Sequence, residues 1–148
     1  MSSDSTTRPA HPSPHRERAP IWRQFFGLFA APVAWFVQFN IAYGLTSYAC
    51  NPDGRALGHF ATGWGWTRTA AVVVCLLAAA VSILAGLVAW GVWRAARGEK
   101  EGDSAHVLEA GEGRTRYFGM WGTLTSFGFL AAILFDLVMA FGASACRG

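Results

Sequence analysis

Three long apolar stretches occupy more than half of this 148-residue chain. They cover residues 25–48, 70–93 and 117–145, and Asp136 is the one Asp, Glu, Lys, Arg or His within them. Each is at least as long as the roughly 20 residues that an α-helix needs to cross a hydrocarbon core. Only 14% of the residues are charged, against roughly 25% in soluble domains. The sequence therefore predicts an all-α membrane protein with three transmembrane helices.

The basic residues predict the orientation of these helices, because Lys and Arg concentrate in short cytoplasmic segments. Most of them precede the first span or lie between the second and third, namely Arg8, Arg16, Arg18, Arg23, Arg94, Arg97, Lys100, Arg114 and Arg116. Arg55, Arg68 and Arg147 lie on the other side. We expect a cytoplasmic N-terminus and a C-terminus outside. The net charge of +3 is thus a topology signal and indicates no nucleic-acid partner.

The chain divides into a disordered cytoplasmic tail over residues 1–24, a three-span transmembrane domain over 25–145 and an outer tail over 146–148. The first twenty residues are rich in Ser, Pro, Arg and His and carry too little apolar surface to fold alone. The loop over residues 94–116 mixes acidic and basic residues and is typical of a solvated connector.

Small residues four apart predict the packed faces, since close backbone approach drives helix association in hydrocarbon. The predicted stripes are Ala30, Ala34, Gln38 and Ala42 in the first span, Ala78, Ser82 and Gly86 in the second with Cys75 close by, and Gly128, Ala132, Asp136 and Ala140 in the third. Asn40 and Gly44 belong to another face of the first span, where we expect contact with another protein. The small-residue faces also allow a homodimer.

Asp136 has two interpretations. A charged Asp at mid-membrane costs about 2.5 to 3.5 kcal/mol on insertion scales, so we expect it to be neutral or partnered. In the functional interpretation it is a proton-relay or ion site. In the structural interpretation, which we favour, its carboxyl is hydrogen-bonded to Gln38, Ser82 or a partner subunit and fixes helix register. A lone Asp without a second ionisable group makes a poor relay.

Two cysteines are predicted to meet outside the membrane. Cys50 and Cys146 each follow the outer end of a span, so the topology places both in one oxidising compartment, and we expect a disulfide. Cys75, within the second span, is predicted to be an unpaired packing residue. A copper(I) site at Cys50, His59 and Cys146, with Met139 nearby, is the alternative, because thiolate, imidazole and thioether are soft ligands.

Catalytic motifs are missing from the sequence, which has no phosphate-binding Gly-rich loop, paired carboxylates or H-E-x-x-H. The histidines His11, His15, His59 and His106 all lie outside the spans, which excludes bis-His haem ligation within the bundle. We therefore expect no enzyme and no cofactor of its own.

A short set of residues carries a family resemblance: Ala31-Pro32-Val33-Ala34-Trp35, Tyr43, Cys50, His59, Thr62 and the final cysteine, Cys146. This arrangement resembles small three-helix bacterial membrane proteins encoded near the subunits and assembly factors of haem-copper cytochrome c oxidases. Ala31 replaces the Gly usual before the Pro, and Ala145 replaces the Pro usual before the last Cys.

The resemblance implies an accessory subunit or assembly helper of a respiratory oxidase in the bacterial inner membrane. Its partners would be membrane lipids and integral oxidase subunits, with the partner's haem and copper nearby. The alternative is a small oligomeric transporter or channel whose path is lined by Asp136 and Gln38.

Overall fold

The computed structural model describes residues 20–96, 114–142 and Cys146, and in these residues it contains helices and no strand. Helix α1 covers Ile21–Cys50, α2 covers Trp66–Ala96 and α3 covers Arg114–Gly142. A short 3₁₀ turn, Pro52–Gly54, follows α1. All three helices are long and apolar enough to cross a membrane, as predicted.

The helices extend beyond the predicted spans at their starts. Helix α1 begins at Ile21, so the prediction of a disordered tail up to residue 24 is wrong for its last four residues. Residues 1–19 and most of the 94–116 connector lie outside the described residues, as do 143–145 and 147–148 of the predicted last span and outer tail. Helix α1 starts earlier than predicted because hydropathy locates only the segment that lies in hydrocarbon. Trp22 and Arg23 continue the helix into the membrane–water interface.

The bundle buries small side chains and exposes large ones. Its buried hydrophobic residues are mostly alanines, and Ile133 is the largest fully buried side chain among the described residues. Large apolar side chains such as Phe36, Leu77 and Phe127 are more than 60% exposed. This distribution suits a lipid environment, in which helices gain from close backbone approach and large apolar groups face acyl chains.

Helix α2 is the central element, with buried residues along its whole length. They are Thr67, Ala71, Cys75, Ala78, Ser82, Ala85, Ala89, Val92 and Ala96. From Cys75 onward the spacing alternates between three and four residues, which is the 3.5-residue period of a coiled-coil seam. Ala78 and Ser82 of the predicted stripe, with Cys75 close by, lie on this seam, whereas Gly86 is half-buried beside it.

All three helices approach one another closely at Gly27, Ala89 and Gly122, which we call the triple contact. A Cβ atom built on Gly122 would lie 3.0 Å from both Ala89 Cβ and Gly27 O, and one built on Gly27 would lie 3.0 Å from Ala89 Cβ. Ser126 Oγ donates to Gly27 O at 3.3 Å just beside it. Only glycine at these two positions allows the backbones to come so close.

The predicted packing stripe of α3 is partly wrong. Gly128 is exposed and a Cβ there would meet nothing within 4 Å, whereas Gly119, Gly122, Ser126 and Ile133 are buried. Asp136 is half-buried and lies at the edge of the packed face. Helix α3 is apolar on all sides, and small residues occur on more than one of its faces. The four-residue spacing therefore indicated the wrong face.

We predict that Gly122→Val destabilises the bundle by about 1 to 3 kcal/mol or more, because the new side chain overpacks the triple contact. Gly128→Val on the same helix is the matched control and should change stability by no more than about 0.5 kcal/mol, since its position is open. Thermal unfolding in detergent, followed by circular dichroism, measures both. Equal unfolding temperatures for the two variants would contradict the packing at Gly122.

Candidate functional site

A recess opens between the three helices in the half of the bundle that contains Cys50 and Cys146, which we call the disulfide end. Its volume is about 350 Å³, and its wall is largely apolar. The side chains that give it chemical character are Gln38 from α1, Cys75 and Arg68 from α2, and Asp136 from α3. Because α2 runs antiparallel to α1 and α3, an early residue of α2 lies level with late residues of α1 and α3. We call this cavity the polar recess.

Gln38 forms the floor of the polar recess together with Cys75. The Gln38 side chain is only 2% exposed, and its Nε2 donates to Cys75 Sγ at 3.3 Å. Its Oε1 is buried and has no hydrogen-bond partner among the residues that the structure describes. Cys75 is a free, buried cysteine, as predicted, but it also accepts this hydrogen bond. The one sequence feature that indicated the contact between Gln38 and Cys75 was the position of Cys75 close to the packed face of α2.

Asp136 lines the same recess, so two of the predicted intramembrane polar residues are brought together. However, the hydrogen bond expected from Gln38 or Ser82 to its carboxyl is not formed. The Gln38 amide donates to Cys75, and Asp136 Oδ2 is buried without a partner. The Asp136 carboxyl is therefore a half-buried group with an unfilled acceptor inside an apolar helix bundle.

Ser82 belongs to a different level of the bundle. It follows Cys75 by two helical turns, about 10 Å at 1.5 Å per residue, toward the end opposite the disulfide. There it lines a second, more apolar recess with Gly86 and Ser126. Ser82 is 1% exposed, and its Oγ has no hydrogen-bond partner. The prediction that Ser82 contacts Asp136 is therefore wrong, because axial distance separates the two.

Asn40 lies on the outside of α1, as predicted from its separate face. Its side chain is exposed, and its Nδ2 donates to the Phe36 carbonyl oxygen one turn earlier at 2.7 Å. A Cβ on Gly44, one turn later, would meet nothing within 4 Å. An amide and an open glycine thus face outward from the middle of an apolar helix.

Arg68 holds the end of α3, a role that the sequence analysis missed. Its Nε donates to Ala140 O at 3.1 Å and its Nη2 to Phe141 O at 2.7 Å. The last carbonyls of a helix lack intrahelical partners and carry partial negative charge, so a guanidinium stabilises them. The sequence signal for this role was a basic residue, Arg68, in the first turn of a helix antiparallel to α3. Its contact with α3 depends on the tertiary fold.

Cys50 and Cys146 are brought to bonding distance, with Sγ–Sγ 2.06 Å and Cα–Cα 5.4 Å. The Cα separation lies in the ordinary range for a disulfide. The end of α1 is held further by the following loop, because Leu57 N donates to Cys50 O at 2.8 Å and Ala61 N donates to Ala49 O at 2.9 Å. The predicted pairing therefore joins Cys50, the last residue of α1, to Cys146, which follows α3 in the chain.

The alternative copper site needs both thiolates, which this sulfur–sulfur contact consumes. His59 is exposed in the loop after α1, and Met139 lines the polar recess. In the part of the chain that the structure describes, no three His, Cys, Asp or Glu side chains are grouped to hold a metal ion. The copper alternative therefore applies only to a reduced form of the chain.

No protein-family model, curated protein or solved structure matches this chain.

We predict that the purified, denatured chain has one thiol that reacts with a maleimide reagent before reduction and three after it. The sequence contains three cysteines, and Cys75 alone is free when Cys50 and Cys146 are bonded. Mass spectrometry of the alkylated protein counts the thiols. Cys75→Ala is the control and should leave no reactive thiol before reduction. Three reactive thiols in the unreduced wild-type chain would contradict the disulfide.

Proposed function

We propose that this protein is an accessory subunit or assembly helper of a membrane respiratory complex, a haem-copper cytochrome c oxidase, and that it acts by helix association. The observation that carries the proposal is the outward face of α1 formed by Asn40 and Gly44. The family resemblance in residues 31–62 and Cys146 supports the choice of complex.

The face of Asn40 and Gly44 suits a neighbouring transmembrane helix better than lipid. Lipid acyl chains cannot hydrogen-bond the Asn40 amide, whose Nδ2 has only a carbonyl of its own helix as partner among the described residues. A helix from another subunit can supply an acceptor for the second amide hydrogen and a donor for the amide oxygen. Gly44, one turn away, lets such a helix approach closely.

The proposed orientation has the N-terminus in the cytoplasm and the disulfide end outside the bacterial inner membrane. The distribution of Lys and Arg supports it, because most of them lie before α1 or between α2 and α3. A disulfide at the outer end agrees with an oxidising compartment on that side. In this orientation the partner's helix contacts the outer half of α1.

A small oligomeric transporter or channel is the second candidate. The observation that favours it is the polar recess, where Gln38 Oε1 and Asp136 Oδ2 are both buried and unfilled. In this proposal several copies of the chain, with a homodimer as the smallest assembly, complete a path past Asp136.

We predict that the protein, extracted from native membranes with mild detergent, migrates with a haem-absorbing complex. Gly44→Phe should reduce the copurified haem by about tenfold, because a phenyl ring at the contact blocks close approach of the helices. Gly128→Phe, at an open position on α3, is the matched control and should leave the haem signal unchanged. Haem absorbance of the purified fraction, normalised to this protein, is the measurement. Migration without any oxidase subunit would contradict the accessory role.

The transporter candidate makes a separate prediction in liposomes. If the polar recess belongs to a proton path, Asp136→Asn should lower proton flux by tenfold or more, since the general acid–base group is removed. A pH-sensitive dye inside the liposomes measures the flux, and Ser82→Ala is the control outside the recess. Equal flux in wild type and Asp136→Asn would exclude a path through this carboxyl.

A further inference from the structure

The polar recess presents unfilled hydrogen-bond acceptors. Gln38 Oε1 and Asp136 Oδ2 are buried and have no partner in the described part of the chain. Gln38 is 2% exposed, and the packed helices around it leave it no solvent to satisfy its oxygen. Buried acceptors without partners are uncommon in folded proteins and cost free energy when they remain unfilled. A molecule in the recess that donates hydrogen bonds to both oxygens would remove this cost, once the two side chains turn these oxygens toward it.

Gln38 and Arg68, whose side chains carry the N–H donors of the polar recess, both form hydrogen bonds within the bundle. Gln38 Nε2 donates to Cys75 Sγ at 3.3 Å. Arg68 donates through Nε and Nη2 to the carbonyl oxygens of Ala140 and Phe141, one turn or more beyond Asp136 on α3. The Asp136 carboxyl and the Gln38 amide thus lie in the interior of the recess, and the Arg68 guanidinium lies at its rim.

The side chains that line the polar recess suit a ligand that has an apolar body and an aromatic or cationic end. Phe39 and Tyr43 stack with ring centroids 6.2 Å apart, and both line the recess with Phe60 and Met139. Aromatic faces attract cations, and a thioether packs against irregular apolar shapes. The volume of about 350 Å³ falls at the lower end of the range for small-molecule sites.

We propose that the polar recess binds a small amphipathic ammonium compound, whose N–H groups donate to Asp136 and Gln38 and whose apolar body lies against Phe39, Tyr43 and Phe60. The carboxylate of Asp136 supplies the opposite charge, which makes its hydrogen bond with the ammonium group a charge-assisted one. The apolar body enters from the bilayer, where such compounds concentrate. This inference does not depend on the accessory role of the chain.

The test uses the full chain in lipid nanodiscs and radiolabelled 2-phenylethylammonium, with empty nanodiscs to subtract partitioning into lipid. Equilibrium dialysis should show saturable binding to wild type. Asp136→Asn should weaken binding by about tenfold or more, as expected for loss of a charge-assisted hydrogen bond. Ser82→Ala, which removes a buried, unpartnered hydroxyl in the other recess, should leave it unchanged. Unfolding temperatures of the three proteins establish that each is folded.

A second ligand separates charge from shape. Neutral 2-phenylethanol has the same aromatic body and should show no saturable binding, because it lacks the ammonium group. The proposal is overturned by absence of saturable binding of the ammonium compound to folded wild type, which would leave the recess to lipid or to a partner's helix. It is also overturned by equal binding to Asp136→Asn and wild type, by a matching loss in Ser82→Ala, or by saturable binding of the alcohol with similar affinity.

Discussion

The close approach of three backbones at Gly27, Ala89 and Gly122 is the interaction on which the rest of the bundle depends. Helices in hydrocarbon gain little from apolar burial, so the bundle relies on dispersion between surfaces that fit closely. A Cβ at either glycine would lie 3.0 Å from a neighbouring helix. This contact fixes how far apart the helices lie. Gln38, Cys75 and Asp136 then fall at similar heights, roughly 16 to 21 Å from the triple contact at 1.5 Å per residue.

The two ends of the bundle differ in how they are held. At the disulfide end, Arg68 donates to two carbonyls of α3, and Cys50 and Cys146 are within bonding distance. The last turn of α3 is thus attached to α2 by Arg68, and Cys146, which follows α3 in the chain, is attached to the end of α1. The polar recess lies between that end and the triple contact. The Arg68 hydrogen bonds and the cysteine pair hold the helices on one side of it, and the triple contact holds them on the other.

The molecule presents two polar features inside apolar surroundings, and they suit different occupants. Asn40 and Gly44 face outward on α1 and fit a helix of another protein. The acceptors of Gln38 and Asp136 face inward and fit a small donor. Substitutions at these two features are therefore expected to separate complex association from ligand binding in the same chain.

The sequence by itself determined the three apolar helices, the meeting of Cys50 with Cys146 and the buried position of Gln38, because length, hydropathy and topology dictate these features. It did not determine the rotation of α3, since a helix that is apolar all round has no readable face, and Gly128 was wrongly placed in the core. Only the tertiary structure decided that Gln38 contacts Cys75, that Ser82 lies too far along α2 to reach Asp136, and that Arg68 caps α3. Those contacts depend on axial stagger, which the close approaches at Gly27, Gly119 and Gly122 restrict and which is not encoded in the spacing of any one helix.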